Sequence, residues 1–272
     1  MKSVFTLLLT LTSMICFAGG GNEHGGARVE GMAGASLTQV DVWSTTNNIG
    51  ALGLQEKFAV GASFQSRYFL PEAALKSVAL AAPLGGGTIG LVGHQFGHAA
   101  FSDNRVGLGY ARKLSDYLSL GVQMNYLNVR IGDVYGNRST LTAEVGLLIM
   151  PTDNIRLGVH VYNPTRSRLA DFDDERVPSY MALAGQYIFS EKVSGIIQVE
   201  KGLDDPINII TGLEYNPVES IFIRTGYATA KGVASFGFGY QWKDLNADVS
   251  AQWHQTLGFS SGITLSYQFG KR

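Results

Sequence analysis

Residues 234–254 read ASFGFGYQWKDLNADVSAQWH, and this stretch decides the fold. Apolar residues alternate there with small or polar ones on both sides of the Lys243-Asp244 pair. Because successive side chains of a β-strand point to opposite faces, the alternation predicts two strands, each with one apolar and one polar face. The two-residue connection predicts that these strands form an antiparallel hairpin.

The same rhythm continues along most of the chain. Most of the segments are about 9–12 residues long, whereas globular strands usually have about 5–6 residues. A strand that crosses a membrane at a tilt needs about 9–11 residues. The connections are alternately tight and longer, as in bacterial outer-membrane barrels. The fourteen predicted strands span 56–67, 73–82, 87–96, 104–113, 117–130, 138–150, 154–162, 179–189, 193–201, 207–215, 220–228, 233–242, 245–255 and 261–270.

Composition supports an all-β fold, a closed antiparallel transmembrane β-barrel of about 14 strands. Hydrophobic residues make up 45% of the chain and charged residues only 16%. Aromatic residues near strand ends, such as Tyr126, Tyr240 and Trp242, match the interfacial girdles of such barrels, so we expect outer-membrane lipid as a partner. A net charge of −1 gives no attraction to nucleic acid. A soluble secreted β-sandwich also alternates and remains an alternative.

The N-terminus predicts export. Lys2 precedes an apolar run from Val4 to Phe17, and small residues surround a cut after Ala18, which is the pattern of a signal peptide over 1–18. An uncleaved anchor and a lipoprotein attached at Cys16 are the alternatives. With the barrel pattern, the signal predicts localisation in the outer membrane of a Gram-negative bacterium.

Residues 19–54 do not alternate, and their motifs carry a family resemblance. The stretches Gly26-Ala27-Arg28 and Gly31-Met32-Ala33-Gly34-Ala35, followed by Asn47 and Gly50, resemble the N-terminal segment of the fatty-acid-transporter-like (FadL/OmpP-like) outer-membrane proteins. The PorV/PorQ type of Bacteroidota is the most similar. Asn48 and Ile49 depart from that motif, which has Pro and Ala there. The resemblance implies a fourteen-stranded barrel over 55–272 with residues 19–54 folded inside it as a plug.

Six residues are the candidate plug positions. We expect the charged ones to reach lumen charges of opposite sign, because an unpaired charge in a closed lumen is costly. The amide of Asn47 is expected to tie a Gly-rich turn to polar groups of the wall. A periplasmic tail without contacts is the alternative. The candidates are Arg28, Glu30, Asp41, Trp43, Asn47 and Gly50.

Eight charged residues fall on the polar faces of the predicted strands. Neighbouring strands carry opposite signs, with Glu144 expected beside Arg156 and Glu214 beside Arg224. These charges form either a polar pore or ligand pocket, or a set of structural pairs that satisfy one another. The lumen charges are Arg67, Arg105, Glu144, Arg156, Glu200, Glu214, Arg224 and Asp248.

The resemblance implies that the barrel binds or passes a small hydrophobic molecule. The alternative is a non-transport anchor or subunit of a complex with secretion-system or cell-surface proteins. We expect no enzyme activity, because His160 and His254 have no evident nucleophile beside them. No cofactor and no metal site are expected either, since the acidic residues from Asp171 to Glu175 lack the spacing of a calcium loop.

Overall fold

The computed structural model describes residues 24–98, 101–132, 136–169, 176–203 and 205–270. The predicted signal peptide over 1–18 and the acidic stretch over 171–175 lie outside these residues. Fourteen strands form one closed barrel in which each strand pairs with its neighbours in sequence and the first pairs with the last. The predicted all-β barrel is therefore confirmed, and a two-sheet sandwich is excluded.

All fourteen predicted strands are present. Strand β4 extends beyond its predicted span at both ends, because its backbone ladder with β5 continues past the region of clear side-chain alternation. The strands are β1 (Phe58–Ser66), β2 (Ala74–Leu84), β3 (Gly87–Gly97), β4 (Phe101–Ser115), β5 (Leu118–Ile131), β6 (Asn137–Thr152), β7 (Ile155–Tyr162), β8 (Tyr180–Ser190), β9 (Val193–Gly202), β10 (Asn208–Val218), β11 (Ile221–Ala228), β12 (Val233–Trp242), β13 (Leu245–His254) and β14 (Gly258–Phe269).

The distribution of side chains is the inverse of that in a water-soluble protein. On β5, Val122 and Met124 are 53% and 59% exposed, whereas Gln123 and Asn125 are 2% and 0% exposed. The outer face is thus apolar and the polar face is buried inside the barrel. A barrel surrounded by lipid requires this arrangement.

The two ends of the barrel differ. At one end, hereafter the short-turn end, the connections are tight: between β2 and β3, Gly85 and Gly86 have φ of +62° and +79°. Positive φ at both central residues is the requirement of a type I′ hairpin turn, which glycine meets without strain. At the opposite end, hereafter the loop end, residues 163–179 form the longest connection.

Residues 24–55, hereafter the N-terminal segment, are enclosed by the barrel. The segment contains the short helices α1 (Ala27–Glu30) and α2 (Ser44–Asn47) and a 3₁₀ helix over Ile49–Leu54. None of the helices in the described ranges is long and apolar enough to cross a membrane.

Two buried apolar clusters join the N-terminal segment to the wall. The first half of the segment packs against β8–β11, and the second half packs against β1–β4. Small wall residues, mostly alanine, leave room for the larger side chains of the segment. The first cluster contains Met32, Ala33, Ala35, Leu37, Ala182, Ala184, Ile196, Ile210 and Ala228. The second contains Val42, Trp43, Ile49, Leu52, Ala59, Ala79, Ala81, Val92 and Ala111.

The closing seam between β1 and β14 gives a direct test of the register. Ala62 lies opposite Leu265, so cysteines at these two outward positions should form a disulfide under mild oxidation. A faster band on an unreduced, boiled gel would report the bond. Cysteines at Ala62 and Ser261 are the matched control, because a four-residue offset separates them by about 13 Å. Equal cross-linking of both pairs would contradict the register.

Candidate functional site

The N-terminal segment touches the wall where glycines on both sides allow the backbones to approach. A side chain at Gly50 would place its Cβ 2.5 Å from the carbonyl carbon of Gly146 on β6. A Cβ at Gly31 would lie 2.7 Å from the Cα of Gly237 on β12. Real Cβ atoms do not approach other atoms so closely, so these contacts require glycine. The candidate Gly50 is therefore a point of backbone contact with the wall.

Hydrogen bonds fix the segment to several strands at these contacts. The Ala27 amide donates to Thr264 Oγ1 at 2.8 Å, and Ser235 Oγ donates to the Gly31 carbonyl at 3.0 Å. On the other side of the barrel, Ser119 Oγ donates to the Gly50 carbonyl at 2.7 Å. Strands on opposite sides of the barrel thus hold one continuous segment.

Two adjacent asparagines divide the role that we expected of Asn47 alone. Asn47 binds Gly25 through both groups of its amide, with Oδ1 accepting at 2.9 Å and Nδ2 donating at 3.0 Å. It therefore joins two turns of the segment to each other, and the expectation that it reaches the wall is wrong. Asn48 reaches the wall instead, because its Nδ2 donates to the Leu147 carbonyl at 2.9 Å. The motif drew attention to the first asparagine, although either side chain has the same chemistry.

A charge network joins the segment to β10, β11 and β13. Arg28 holds Glu214 with two hydrogen bonds, from Nε at 3.0 Å and from Nη2 at 2.9 Å. Arg224 also holds Glu214, at 2.6 Å, and binds Asp248 at 2.6 Å. The expected pair of Glu214 and Arg224 is thus present, and Arg28 reaches a lumen charge of opposite sign.

The two acidic candidates of the segment, Asp41 and Glu30, make contacts that differ from those of Arg28 with Glu214. Asp41 pairs with Arg28 at 3.4 Å, within the segment rather than with the wall. Burial raises the pKa of the Asp41 carboxyl, and the Arg28 guanidinium only partly opposes this effect. Its contribution to stability is therefore greatest at low pH and is lost as the pH rises through that raised pKa. Glu30 accepts a hydrogen bond from Ser250 Oγ at 2.6 Å.

A second network lies between β4 and β7. Glu144 accepts hydrogen bonds from Arg105 at 3.3 Å and from Asn125 at 3.0 Å, and His160 Nε2 lies 2.8 Å from its other oxygen. The Arg105 guanidinium also lies 5.1 Å from the centre of the Tyr162 ring. A buried carboxylate with this many partners is satisfied in place.

The expectation that Glu144 lies beside Arg156 is wrong. In the register of β6 and β7, Glu144 faces Tyr162. Arg156 lies six residues before Tyr162 on β7, opposite Gln186 of β8. The ladder between β6 and β7 also shifts between Ile149 and Thr152. Knowing that two strands are neighbours does not tell which of their residues face each other, because this depends on the register.

The remaining candidates lie in separate places. Trp43 is buried, and a Cβ on Gly61 of β1 would lie about 3 Å from its ring. Arg67 Nε donates to Gln65 Oε1 at 3.0 Å, near the loop end. Glu200 accepts hydrogen bonds from Gln198 at 2.8 Å and from Asn208 at 3.3 Å.

A cavity of about 610 Å³ lies at the loop end, above the N-terminal segment. His24, Glu30 and Ala33 of the segment form part of its lining. The predicted lumen charges Arg67 and Glu200 also line it. Its remaining lining residues include the apolar and aromatic side chains of Tyr68, Val177, Pro178, Tyr180, Leu203, Pro206, Ala230 and Val233.

The loop after β7 supplies cavity residues that sequence reasoning missed. Asn163 organises this loop: its Nδ2 donates to the Val177 carbonyl at 2.9 Å, and its Oδ1 accepts from the Ser167 amide at 3.0 Å. Ser179 Oγ donates to the Asn163 carbonyl at 2.6 Å. These bonds turn the loop inward and bring Val177 and Tyr180 to the cavity. The only feature of the sequence that could have indicated this loop course is Asn163, the polar residue directly after β7.

Metal-ligand geometry is not found in the described part of the chain. No group of three or more His, Cys, Asp or Glu residues there could hold a metal ion. His94, which could have served as a ligand, lies between Ser77 Oγ at 2.7 Å and Thr46 Oγ1 at 3.1 Å.

The close contact at Gly146 should control attachment of the segment. Valine there would collide with Asn48 and Gly50, so Gly146→Val should expose the N-terminal segment to limited proteolysis and lower the melting temperature. Gly93→Val is the matched control, because a Cβ at that outward position meets only Val78 at 3.5 Å. Equal protection of the segment in both variants would show that the contact is not needed.

Comparison with known proteins identifies solved structures that share the fold. The chain matches no protein-family model. No curated protein is similar to it in sequence. The toluene transporter TbuX of Ralstonia pickettii shares the fold with a TM-score of 0.70 and 13% identity over 92% of this chain and 100% of that one. The toluene transporter TodX of P. putida has a TM-score of 0.70 and 12% identity over the same shares of the two chains.

A FadL homologue of Pseudomonas aeruginosa has a TM-score of 0.64 and 14% identity, covering 90% of this chain and 98% of its own. At this identity the likeness establishes the fold. The chain is a closed fourteen-stranded barrel with the same architecture as these three solved structures.

Proposed function

We propose that this protein is an outer-membrane channel that binds and passes a small hydrophobic molecule. The observation that carries this proposal is the cavity at the loop end, which lies directly above a segment that fills the lumen. Such a cavity can receive a molecule from one side while the segment closes the path to the other. The solved structures with the same fold, described as toluene transporters and a FadL homologue, support the same function.

The outer surface supports a position in a membrane. Apolar side chains cover the outward rows of the strands, and large aromatic ones lie near both ends. Tyr117, Phe189 and Trp242 are exposed near the short-turn end, and Trp253 and Phe259 are exposed near the loop end. Two aromatic belts with an apolar band between them are typical of outer-membrane barrels. Short turns face the periplasm in such barrels, so the cavity opens toward the cell exterior.

The cavity has the size of a small-molecule site, and its lining combines apolar with polar and charged side chains. Its volume of about 610 Å³ lies within the range of about 300–1,000 Å³ for such sites. Tyr180, Leu203 and Val233 offer apolar surface, and more than half of the lining residues are polar or charged, Arg67 and Glu200 among them. Sites of this kind bind an apolar body by burial and orient it by a few polar contacts.

We infer that the N-terminal segment acts as a plug. It touches strands on both sides of the barrel and lies between the cavity and the short-turn end. A molecule that leaves the cavity toward the periplasm must therefore displace part of the segment. The charge network of Arg28, Glu214 and Arg224 is among the contacts that hold it in the closed state.

The alternative is a non-transport subunit of a secretion or cell-surface complex, as the resemblance to the PorV/PorQ type suggests. Its support is the motif over Gly26–Arg28 and Gly31–Ala35, together with a lumen that is filled below the cavity. Under this alternative the cavity has no ligand. Measurement of ligand binding therefore separates the two functions.

Filling the cavity should abolish ligand capture. Ala230 lines the cavity from the exposed β11–β12 connection, so Ala230→Trp should occupy the space without disturbing the wall. Native mass spectrometry from mild detergent should find a hydrophobic molecule bound to the natural protein and absent from this variant. Ala62→Trp, on the outer face of β1, is the control and should keep the molecule. A natural protein without any bound molecule, and without toluene binding on titration, would favour the subunit role.

Removal of the segment should open the barrel. Deleting residues 26–53 leaves all fourteen strands, and closure of the wall does not use the segment. We expect a folded barrel with raised conductance in planar bilayers. Its melting curve, measured in parallel, reports whether the deletion also lowers stability. A large loss of melting temperature without conductance would indicate a structural filling rather than a plug. No change in either measurement would refute the plug.

A further inference from the structure

Two consecutive aromatic residues at the loop end have a backbone conformation that favours glycine. They are the central residues of a turn in the β1–β2 connection, in which the Leu70 amide donates to the Arg67 carbonyl at 2.9 Å. Tyr68 and Phe69 have φ of +56° and +54°. Positive φ at both central residues is the mark of a type I′ turn, where Asn-Gly is the usual pair. Bulky side chains at such a φ crowd their own backbone, so this turn is strained.

Strained backbone of this kind gathers around the cavity. Within the described ranges, the residues other than glycine with positive φ are Ala33, Tyr68, Phe69, Asn163, Arg166 and Lys243. Ala33, Tyr68 and Arg166 line the cavity, and only Lys243 of this set lies at the short-turn end. Such conformations persist where surrounding contacts enforce them, and they are concentrated at functional sites. The cavity wall is therefore the place to look for the role of the turn.

Contacts with three strands hold the turn in this conformation. The Tyr68 amide donates to Ser260 Oγ of β14 at 3.0 Å. The Arg67 guanidinium lies 5.1 Å from the centre of the Phe96 ring of β3. The rings of Tyr68 and of His254 on β13 meet edge to face, with their centres 6.2 Å apart. The Tyr68 ring is therefore fixed before any molecule enters the cavity.

The turn sends its two aromatic side chains to different surroundings. Tyr68 is half-buried and lines the cavity together with Ser260 and His254, whereas Phe69 is 66% exposed. Asn-Gly at these two positions would form the same turn without strain, but it would leave this wall of the cavity without a ring. Strain that a simpler pair of residues would remove is typical of a group held in place for function. The visible consequence of the strained turn is the position of the Tyr68 ring.

We propose, as an extension that rests on the proposed function, that Tyr68 is a specificity-determining residue of the cavity. Its fixed ring contacts the bound molecule and favours an aromatic hydrocarbon over a saturated one of the same size. Pairs of aromatic rings attract each other beyond the burial of apolar area. A ring that is already fixed also loses little conformational freedom when the molecule binds. A saturated ring gains the burial but not the aromatic contact.

Titration of the full-length protein in detergent micelles with two probes tests the role of Tyr68. The probes are toluene and methylcyclohexane, which have the same carbon skeleton but differ in aromaticity. We expect the natural protein to bind toluene more tightly. Tyr68→Leu should weaken toluene binding by roughly two- to tenfold and leave methylcyclohexane binding unchanged, because leucine keeps apolar surface but not the ring. A general loss of structure would weaken the binding of both probes.

Relief of the strain gives a second readout, the melting temperature. Tyr68→Asn combined with Phe69→Gly should raise the melting temperature and abolish the preference for toluene, since the unstrained turn lacks the ring. Phe69→Gly alone should raise the melting temperature and keep the preference, because the Tyr68 ring remains. Lys243→Gly is the matched control: it relieves the same strain at the short-turn end, so it should raise the melting temperature without changing either affinity.

Three results would overturn the role of Tyr68 while leaving the proposed function in place. They are unchanged toluene binding in Tyr68→Leu, equal binding of toluene and methylcyclohexane to the natural protein, and a lower melting temperature in the Asn-Gly variant. The last result would show that the two aromatic residues stabilise the wall. Binding of neither probe to the natural protein would refute the proposed function and the role of Tyr68 with it, so the two failures give different results.

Discussion

Closure of β1 on β14 is the constraint on which the rest of the structure depends. Once the ring is closed, every strand has hydrogen-bonded neighbours on both sides, and no open edge remains. The backbone N–H and C=O groups of the strands then need no hydrogen-bond partner from the lipid or from the lumen. The outward rows are free to be apolar, as at Val122, and the inward rows are free to be polar, as at Gln123.

A closed polar lumen creates a second requirement, because its charges lie away from bulk water and must be satisfied inside. The wall alone does not achieve this: Glu214 lies between Arg224 of the wall and Arg28 of the N-terminal segment. The segment can come this close because glycine and alanine line the inner wall at its contacts, as at Gly146 and Gly237. Wall and segment therefore form one hydrogen-bonded unit rather than a container and its content.

The period-two pattern predicted the number, approximate limits and outward faces of the strands, because alternation along one strand is a local property. It could not predict which inward residues meet. Glu144 and Arg156 lie on adjacent strands and yet are far apart in the register, whereas Glu144 and Arg105 meet across β5. The same limit applies to Asn47 and Asn48, whose partners depend on how the segment turns inside the lumen. Val177 and Tyr180 reach the cavity through the loop after β7, whose course depends on the bonds of Asn163.

Under the proposed function, the contacts that close the lumen are also contacts that stabilise the fold, and this limits how passage can occur. Moving the segment would separate Arg28 from Glu214 and uncover the apolar clusters around Met32 and Trp43. Each hydrogen bond contributes only about 0.5–1.5 kcal/mol net, but many would break together. A bound molecule can shift this balance only by as much as it prefers the open state over the closed one. The ligand must therefore make contacts below the cavity that the closed barrel does not offer, and binding in the cavity alone is not sufficient for passage.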